Sequence, residues 1–277
     1  MKISKKLFYL FNKIGLGGEV YLLLSIIKNK KILHFRYDKT NRRWKQYDGG
    51  VCCFVDFEPN WRLNLNYLKN KVLSTFNILG YVPKEGDVII DIGAGVGTEA
   101  LIYSMMTGES GKVFAIEAHP ETYRTLNLII EANSIDNVIC SNIAVSDKKA
   151  KIFIETRANH AENQIIADGI NKPAGNGEFV QSVRLDDYVK INKIEKINLL
   201  KMNIEGAELH AIKGMTESIK KIDNIAISCH DFFIKGSTEI KNAVAAFLLE
   251  NNFKIISVPA TGHVVHDSWI FASKEKA

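Results

Sequence analysis

The sequence has little proline, little cysteine and no long hydrophobic run. Five prolines in 277 residues, and no low-complexity tract, argue against long disordered linkers. The length suits one large domain, or a domain with an extension. The cysteines Cys52, Cys53, Cys140 and Cys229 show no metal-ligand CxxC spacing, and the adjacent pair closes a disulfide only with strain. All four are expected reduced, with Cys52 and Cys53 in a strand core, which favours the cytoplasm. The run VYLLLSII (20–27) is too short to span a bilayer, and MKISKKLFYLF shows no apolar stretch followed by a small-residue cleavage site.

Acidic residues are scarce in one region only. Residues 1–45 hold twelve Lys or Arg against Glu19 and Asp38, which leaves 24 basic and 29 acidic residues in 46–277. The formal charge of +5 therefore belongs to the N-terminal arm, and a basic surface of nucleic-acid size is not expected.

Residues 1–30 read as two short helices broken at GLGG (15–18), with Leu7, Leu10, Phe11 and Ile14 at helical spacing among lysines. KILHFRY and VCCFVDF read as strands around a polar segment, DKTNRRWKQYDGG, in which Arg42, Arg43 and Trp44 are either a substrate grip or a solvated turn. Residues 61–80 look helical. From about 81 the chain alternates. Strands are expected at 87–93, 112–118, 137–144, 197–204, 224–230, 253–260 and 268–273, with a short extra strand at 151–155. Helices are expected at 96–107, 119–133, 206–221 and 237–251. The first five main strands are apolar almost throughout, as in a parallel sheet covered by helices on both faces. The last two lack a helix-length gap and should pair antiparallel. This outline is similar to the Rossmann-like class I methyltransferase fold: α/β, an open, mostly parallel sheet ending in an antiparallel hairpin. Residues 81–277 would form that domain, and 1–80 a basic helical and β extension.

VIIDIGAGVGTEAL (88–101) is a strand, a glycine turn and a helix start, the pattern that holds a nucleotide. The candidates are NAD, a phosphate ester and S-adenosylmethionine. No GK[ST] follows the glycines, so a P-loop is excluded. Glu117 ends the second main strand where a carboxylate accepts ribose hydroxyls, which NAD and S-adenosylmethionine share. Asp91 is the expected discriminator: a fixed carboxylate repels a pyrophosphate and attracts the sulfonium and ammonium of S-adenosylmethionine. Gly93, Ala94, Gly95 and Gly97 would allow close backbone approach. Ala118 and His119 would border the adenine, and Asn142 would offer its amide to the adenine edge or cap the strand end.

A second stretch, INLLKMNIEGAELHAIKGM (197–215), resembles the signature of the FkbM-type methyltransferases. FAIEAHPETY, NIAVSDKKAKIFIE and SVRLDDYV precede it in the family's order, and the resemblance covers about 80–275. It implies an S-adenosylmethionine-dependent O-methyltransferase acting on a hydroxyl of a sugar, glycan or natural product. The family's usual aspartate is Asn203 here. An amide can position a hydroxyl or bind a metal through oxygen, but cannot act as a base.

Methyl transfer to an alcohol needs alignment and removal of a proton. Asn203, Glu205, His230 and Asp231 lie at the carboxyl ends of the fourth and fifth main strands. His230 is the expected general base. Asp231 would orient it or bind the acceptor, and Glu205 would anchor acceptor hydroxyls. Asn203, Glu205 and His230 could instead surround a divalent cation. The loop TRANHAENQ (156–164), with His160, Glu162 and Asn163, and the residues His263 and His266 are candidates for the acceptor rim. Residues 1–30 would lie on an anionic membrane surface, pack as a cap, or support a homodimer. Two rivals stand beside this reading. An NAD(P)-dependent sugar oxidoreductase or epimerase lacks its YxxxK pair after the fourth main strand, and a non-catalytic cofactor-binding module would explain Asn203.

Overall fold

Burial of both faces of the central strands decides how this chain layers. The computed structural model describes residues 11, 15–55, 64–155, 165–168, 176–231 and 238–274. Most of the helix expected ahead of Gly15, and the loop 156–164, lie outside them.

The extension holds helix α1 (Gly17–Asn29) and strands β1 (His34–Asp38), β2 (Arg43–Asp48) and β3 (Val51–Val55), followed by helix α2 (Leu65–Leu79). Then come β4 (Val88–Ile92), α3 (Thr98–Thr107), β5 (Lys112–Ile116), α4 (Pro120–Ala132), β6 (Val138–Ser141), β7 (Ala144–Val145), β8 (Ala150–Glu155), β9 (Ile165–Asp168) and β10 (Gly177–Val183). The last part contains α5 (Leu185–Ile191), β11 (Ile197–Met202), α6 (Glu208–Lys213), β12 (Ile222–Ser228), α7 (Glu239–Glu250), β13 (Phe253–Ile256), α8 (Val264–Asp267) and β14 (Trp269–Lys274).

The main sheet has the order β13-β14-β12-β11-β4-β5-β6. Strands β12, β11, β4, β5 and β6 are parallel, and β14 runs antiparallel to both β12 and β13. From β4 the chain builds outward through β5 and β6, then returns to place β11 on the other side of β4. That reversal is a topological switch point, where the carboxyl ends of neighbouring strands open a crevice. Ile90, Ile92, Leu200 and Met202 face α5, α6 and α7 in one core. Ile89, Val113, Ala115 and Leu199 face α2, α3 and α4 in the other. Burial on both faces explains why these strands show no polar alternation.

The sheet, its order of strand types and its closing hairpin agree with the sequence expectation. Four features differ. First, β2 lies inside the polar segment DKTNRRWKQYDGG and pairs with both β1 and β3. Its charged residues hide an alternation that buries Trp44 and Gln46. Second, α2 contributes Leu68, Val72 and Phe76 to the same core as the main sheet, so the packed unit begins ahead of the expected boundary at residue 80. Third, a small sheet of order β7-β10-β8-β9 includes a strand and a following helix, β10 and α5, where none was expected. Fourth, the helix expected over 206–221 is α6 followed by a 3-10 turn, Ser218–Lys221. Asp186 breaks it by accepting from the backbone N–H groups of Glu217 at 3.0 Å and Ser218 at 2.7 Å.

The extension is anchored through α4. Arg43 donates to Thr125 Oγ1 and Glu121 Oε1. The Cys52 backbone N–H donates to Asn133 Oδ1 at 2.8 Å, and Asn133 Nδ2 returns a bond to the Cys52 carbonyl at 2.7 Å. Arg43 and Trp44 are thus packing residues, not a substrate grip.

Candidate functional site

The glycine turn after β4 takes the shape its sequence requires. Gly93 has φ +76°, and a Cβ there would lie 2.0 Å from the Asn203 carbonyl oxygen. Only glycine lets the ends of β4 and β11 come this close. Gly95 has φ +58°, and a Cβ built on it meets no protein atom within 4 Å, because it projects into open space beside a cavity. That cavity, of about 190 Å³, is lined by Gly93, Gly95, Ile116, Glu117, Ala118 and His119, and closed by Ile143, Val145, Ile154 and the Asn203–Glu205 backbone turn.

Glu117 is held in place. Its Oε2 accepts from Gly95 N–H at 2.8 Å and its Oε1 from His119 N–H at 2.9 Å. Burial raises its carboxyl above the ordinary range, and the two backbone donors oppose this. His119 is the N-cap of α4, with Nδ1 3.3 Å from the Thr122 N–H it accepts. Asn142 does not reach the cavity. Its Nδ2 donates to the carbonyls of Glu117 and Ala118, both at 2.9 Å, and so shapes the loop that carries the carboxylate. The adenine-edge role expected for Asn142 is replaced by this brace.

Asp91 also departs from expectation. Its side chain is fully buried on the α3 face of β4, opposite Lys201 in the strand register. Lys201 Nζ lies 2.9 Å from Asp91 Oδ1, donates to the Gly93 carbonyl at 3.0 Å, and stands 3.5 Å from Glu99 Oε2. Lys71 completes the chain of charges with a 2.8 Å contact to Glu99. Burial works against the Lys201 charge, but Asp91 and Glu99 hold its pKa above the ordinary lysine value. Burial alone would raise Glu99, and the two lysines bring it down to about 2. Asp91 therefore supports the glycine turn from beneath through Lys201. It is not a bare carboxylate facing a ligand, and the charge argument against a pyrophosphate does not hold.

At the ends of β11 and β12, Glu205 and His230 converge, with Asn203 just ahead of Glu205 in the same turn. Glu205 has φ +55°, a left-handed conformation uncommon outside glycine and frequent at functional sites. His230 is buried and turns both ring nitrogens to carboxylates. Nδ1 is 2.6 Å from Glu208 Oε1, and Nε2 is 3.4 Å from Glu205 Oε2. Burial favours the neutral ring, but Glu205 and Glu208 raise its pKa to about 9. A cation held between two acids at neutral pH has no free nitrogen for an acceptor proton. Among the described residues no three His, Cys, Asp or Glu side chains form a metal-binding group. Asp231 is apart from this cluster, and accepts from the Ile240 and Lys241 N–H groups, both at 2.8 Å, at the start of α7.

A second, larger cleft of about 640 Å³ lies on the α2 side of the sheet. Lys71, Glu99, Lys201, Lys241, His266 and Trp269 contribute to it, with the Pro259–Thr261 stretch between β13 and β14. His263 packs its ring on His266, with centroids 4.8 Å apart. Among the described residues, Asn203 alone lines both this cleft and the glycine-turn cavity. Sequence reasoning missed Lys71, Glu99, Lys201 and Glu208. Lys201 had a signal: a lysine inside a strand that is otherwise apolar needs a buried partner.

The methyltransferase FkbM domain matches residues 91–255. The chain belongs to the FkbM methyltransferase family. Its cofactor is S-adenosylmethionine, and the lining of the cavity suits the adenosyl part in its chemistry. The open space over Gly95 would admit a ligand against bare backbone, Glu117 would present a fixed acceptor to ribose hydroxyls, and Ile116, Ala118 and Ile143 would offer an apolar slot to a base. A hexuronic acid methyltransferase of Haloferax volcanii, AglP, is 28% identical over 148 residues, covering 53% of this chain and 57% of that protein. A protein-L-isoaspartate O-methyltransferase of Archaeoglobus fulgidus is 38% identical over 140 residues, covering 47% of this chain and 62% of that protein. The chain thus spans less than two thirds of the length of these curated relatives. Fibrillarin of Aeropyrum pernix, solved with S-adenosylmethionine, aligns with 87% of this chain and 93% of that chain at 14% identity and a TM-score of 0.46.

Proposed function

We propose that this chain transfers a methyl group from S-adenosylmethionine to a hydroxyl of a sugar or sugar-bearing acceptor. The observation that carries the proposal is the position of Asn203. It lines both the glycine-turn cavity and the larger cleft, so a donor in one and an acceptor in the other would meet beside this residue. S-adenosylmethionine supplies an electrophilic methyl group when bound. Gly93, Gly95 and Glu117 hold the adenosyl part, and Asn203 orients the acceptor hydroxyl by hydrogen bonding. Glu205 would receive the hydroxyl proton as the carbon–oxygen bond forms and the methyl–sulfur bond breaks, with S-adenosylhomocysteine leaving, and would pass that proton to water. His230 is a positioning residue: as a cation braced by Glu208, it holds the Glu205 carboxylate in its left-handed backbone conformation.

The cleft supports a sugar acceptor. Trp269 is partly exposed in it and stacks on Phe271, with centroids 5.9 Å apart and planes 14° from parallel. A flat aromatic face of this kind packs against the apolar side of a pyranose, while lysine and threonine side chains meet its hydroxyls. The similarity to a hexuronic acid methyltransferase supports the same class.

The test is methyl transfer from labelled S-adenosylmethionine to a panel of hexoses, hexuronic acids and their glycosides, with isoaspartyl peptides beside them. A methyl ether on a sugar ring is expected. Label on the peptide carboxylate alone would contradict the acceptor class, and cofactor binding without turnover on any acceptor would favour a non-catalytic module.

A further inference from the structure

Helix α1 has two faces, and among the described residues only one enters a hydrophobic core. Tyr21 and Leu24 enter the core of the extension, against Leu33, Phe35 and Trp44. On the opposite side Leu16, Leu23, Ile26 and Ile27 are exposed, and Ile32 follows just beyond the helix end. Leu23 is 58% exposed, Ile27 62% and Ile32 64%. At 3.6 residues per turn, Leu16, Leu23 and Ile27 fall within an arc of about 40°. Apolar side chains gathered in this way on a protein surface mark an interaction site, whereas scattered ones do not.

Charge selects the partner. Residues 1–31 contain seven lysines, among them Lys2, Lys5, Lys6, Lys13 and Lys30, and a single acid, Glu19. Residues 46–277 carry an excess of acid, so along the sequence the positive charge is concentrated in the segment that contains α1. A second copy of the chain would bring two lysine-rich arms together. Anionic headgroups would instead oppose that charge while the leucine and isoleucine side chains enter the acyl boundary. No helix among the described residues is long and apolar enough to cross a membrane, so α1 would lie along the surface.

We propose that the exposed face of α1, with its lysine-rich flank, docks on an anionic lipid bilayer. The proposal does not depend on the catalytic reading. The test is cosedimentation of the full chain with phosphatidylcholine vesicles, with and without phosphatidylglycerol, at low and high salt. Binding should require the anionic lipid and weaken with salt. Leu23→Asp with Ile27→Asp should lower partitioning at least tenfold without changing the melting temperature, because both side chains are exposed. Lys5→Gln and Lys6→Gln should each lower it about fivefold, a second route if the aspartates disturb folding. Recovery independent of anionic lipid, or equal binding by all variants, would overturn the proposal. So would a full-length dimer that ignores vesicles and becomes monomeric in the aspartate variant.

Discussion

Replacing Lys201 by Met tests whether the buried charge chain supports the glycine turn. Lys201 faces Asp91 at 2.9 Å with the Asp91 side chain fully buried, so the carboxylate loses its nearest cation when the ammonium is removed. Removing one partner of a buried pair destabilises a protein by about 3–5 kcal/mol, mainly through the uncompensated charge left behind. For a chain of this size that is a fall in melting temperature of roughly 6–20 °C. The loss should depend on pH. Burial already raises the Asp91 carboxyl above its unfolded value of about 3.9 with Lys201 opposing it, and loss of that cation raises it further. The folded variant then keeps a proton that the unfolded chain has released, so its stability falls as pH rises from about 4 through the raised folded value. Lys201→Met should therefore be closest to wild type in acid and furthest from it at neutral pH. Adding Asp91→Asn should recover most of the loss at neutral pH. Urea unfolding of the four species of this cycle, at pH 5 and pH 8, measures the coupling directly. A loss below about 1 kcal/mol, or one that ignores pH and the second substitution, would refute the argument.

Two further predictions concern the strand-end cluster. The folded pKa of His230, about 9, lies above its ordinary 6.5, so its contribution is complete below about pH 6.5 and fades as pH rises through 9. His230→Gln should flatten the fall in stability over that window, where the wild type loses up to roughly 3 kcal/mol; an unchanged profile would contradict the ion pairing. Glu205→Gln should lower kcat by about 10²–10⁴-fold and leave S-adenosylhomocysteine affinity within about twofold, as expected for loss of a proton acceptor. A raised KM with unchanged kcat would assign Glu205 to binding instead.

The alternation of apolar strands and helices from Val88 onward made the main sheet legible, because strands buried on both faces leave a continuous apolar signal. The glycine turn and Glu117 were legible for the same local reason: φ, close approach and a strand-end carboxylate are all encoded within a few residues. Strand β2 was hidden because its buried side, Trp44 and Gln46, alternates with charge. Asp91, Asn142, His230 and Asp231 were recognisable as residues near the site, but their partners come from afar. Lys201 stands 110 positions from Asp91, and Glu208 is 22 from His230. Spacing places a residue at a strand end, whereas its function depends on the groups that three-dimensional packing sets against it.

The central claim, that the cavity over Gly95 holds S-adenosylmethionine, is tested most directly by ligand-induced stabilisation. The melting temperature should be measured with S-adenosylmethionine, S-adenosylhomocysteine, NAD and NADP, for wild type and Gly93→Ala. A ligand that binds only the folded state raises the transition by mass action. The two adenosyl ligands should raise it for the wild type and fail to do so for Gly93→Ala, whose Cβ would be driven into the Asn203 carbonyl. Stabilisation by the dinucleotides alone would contradict the account.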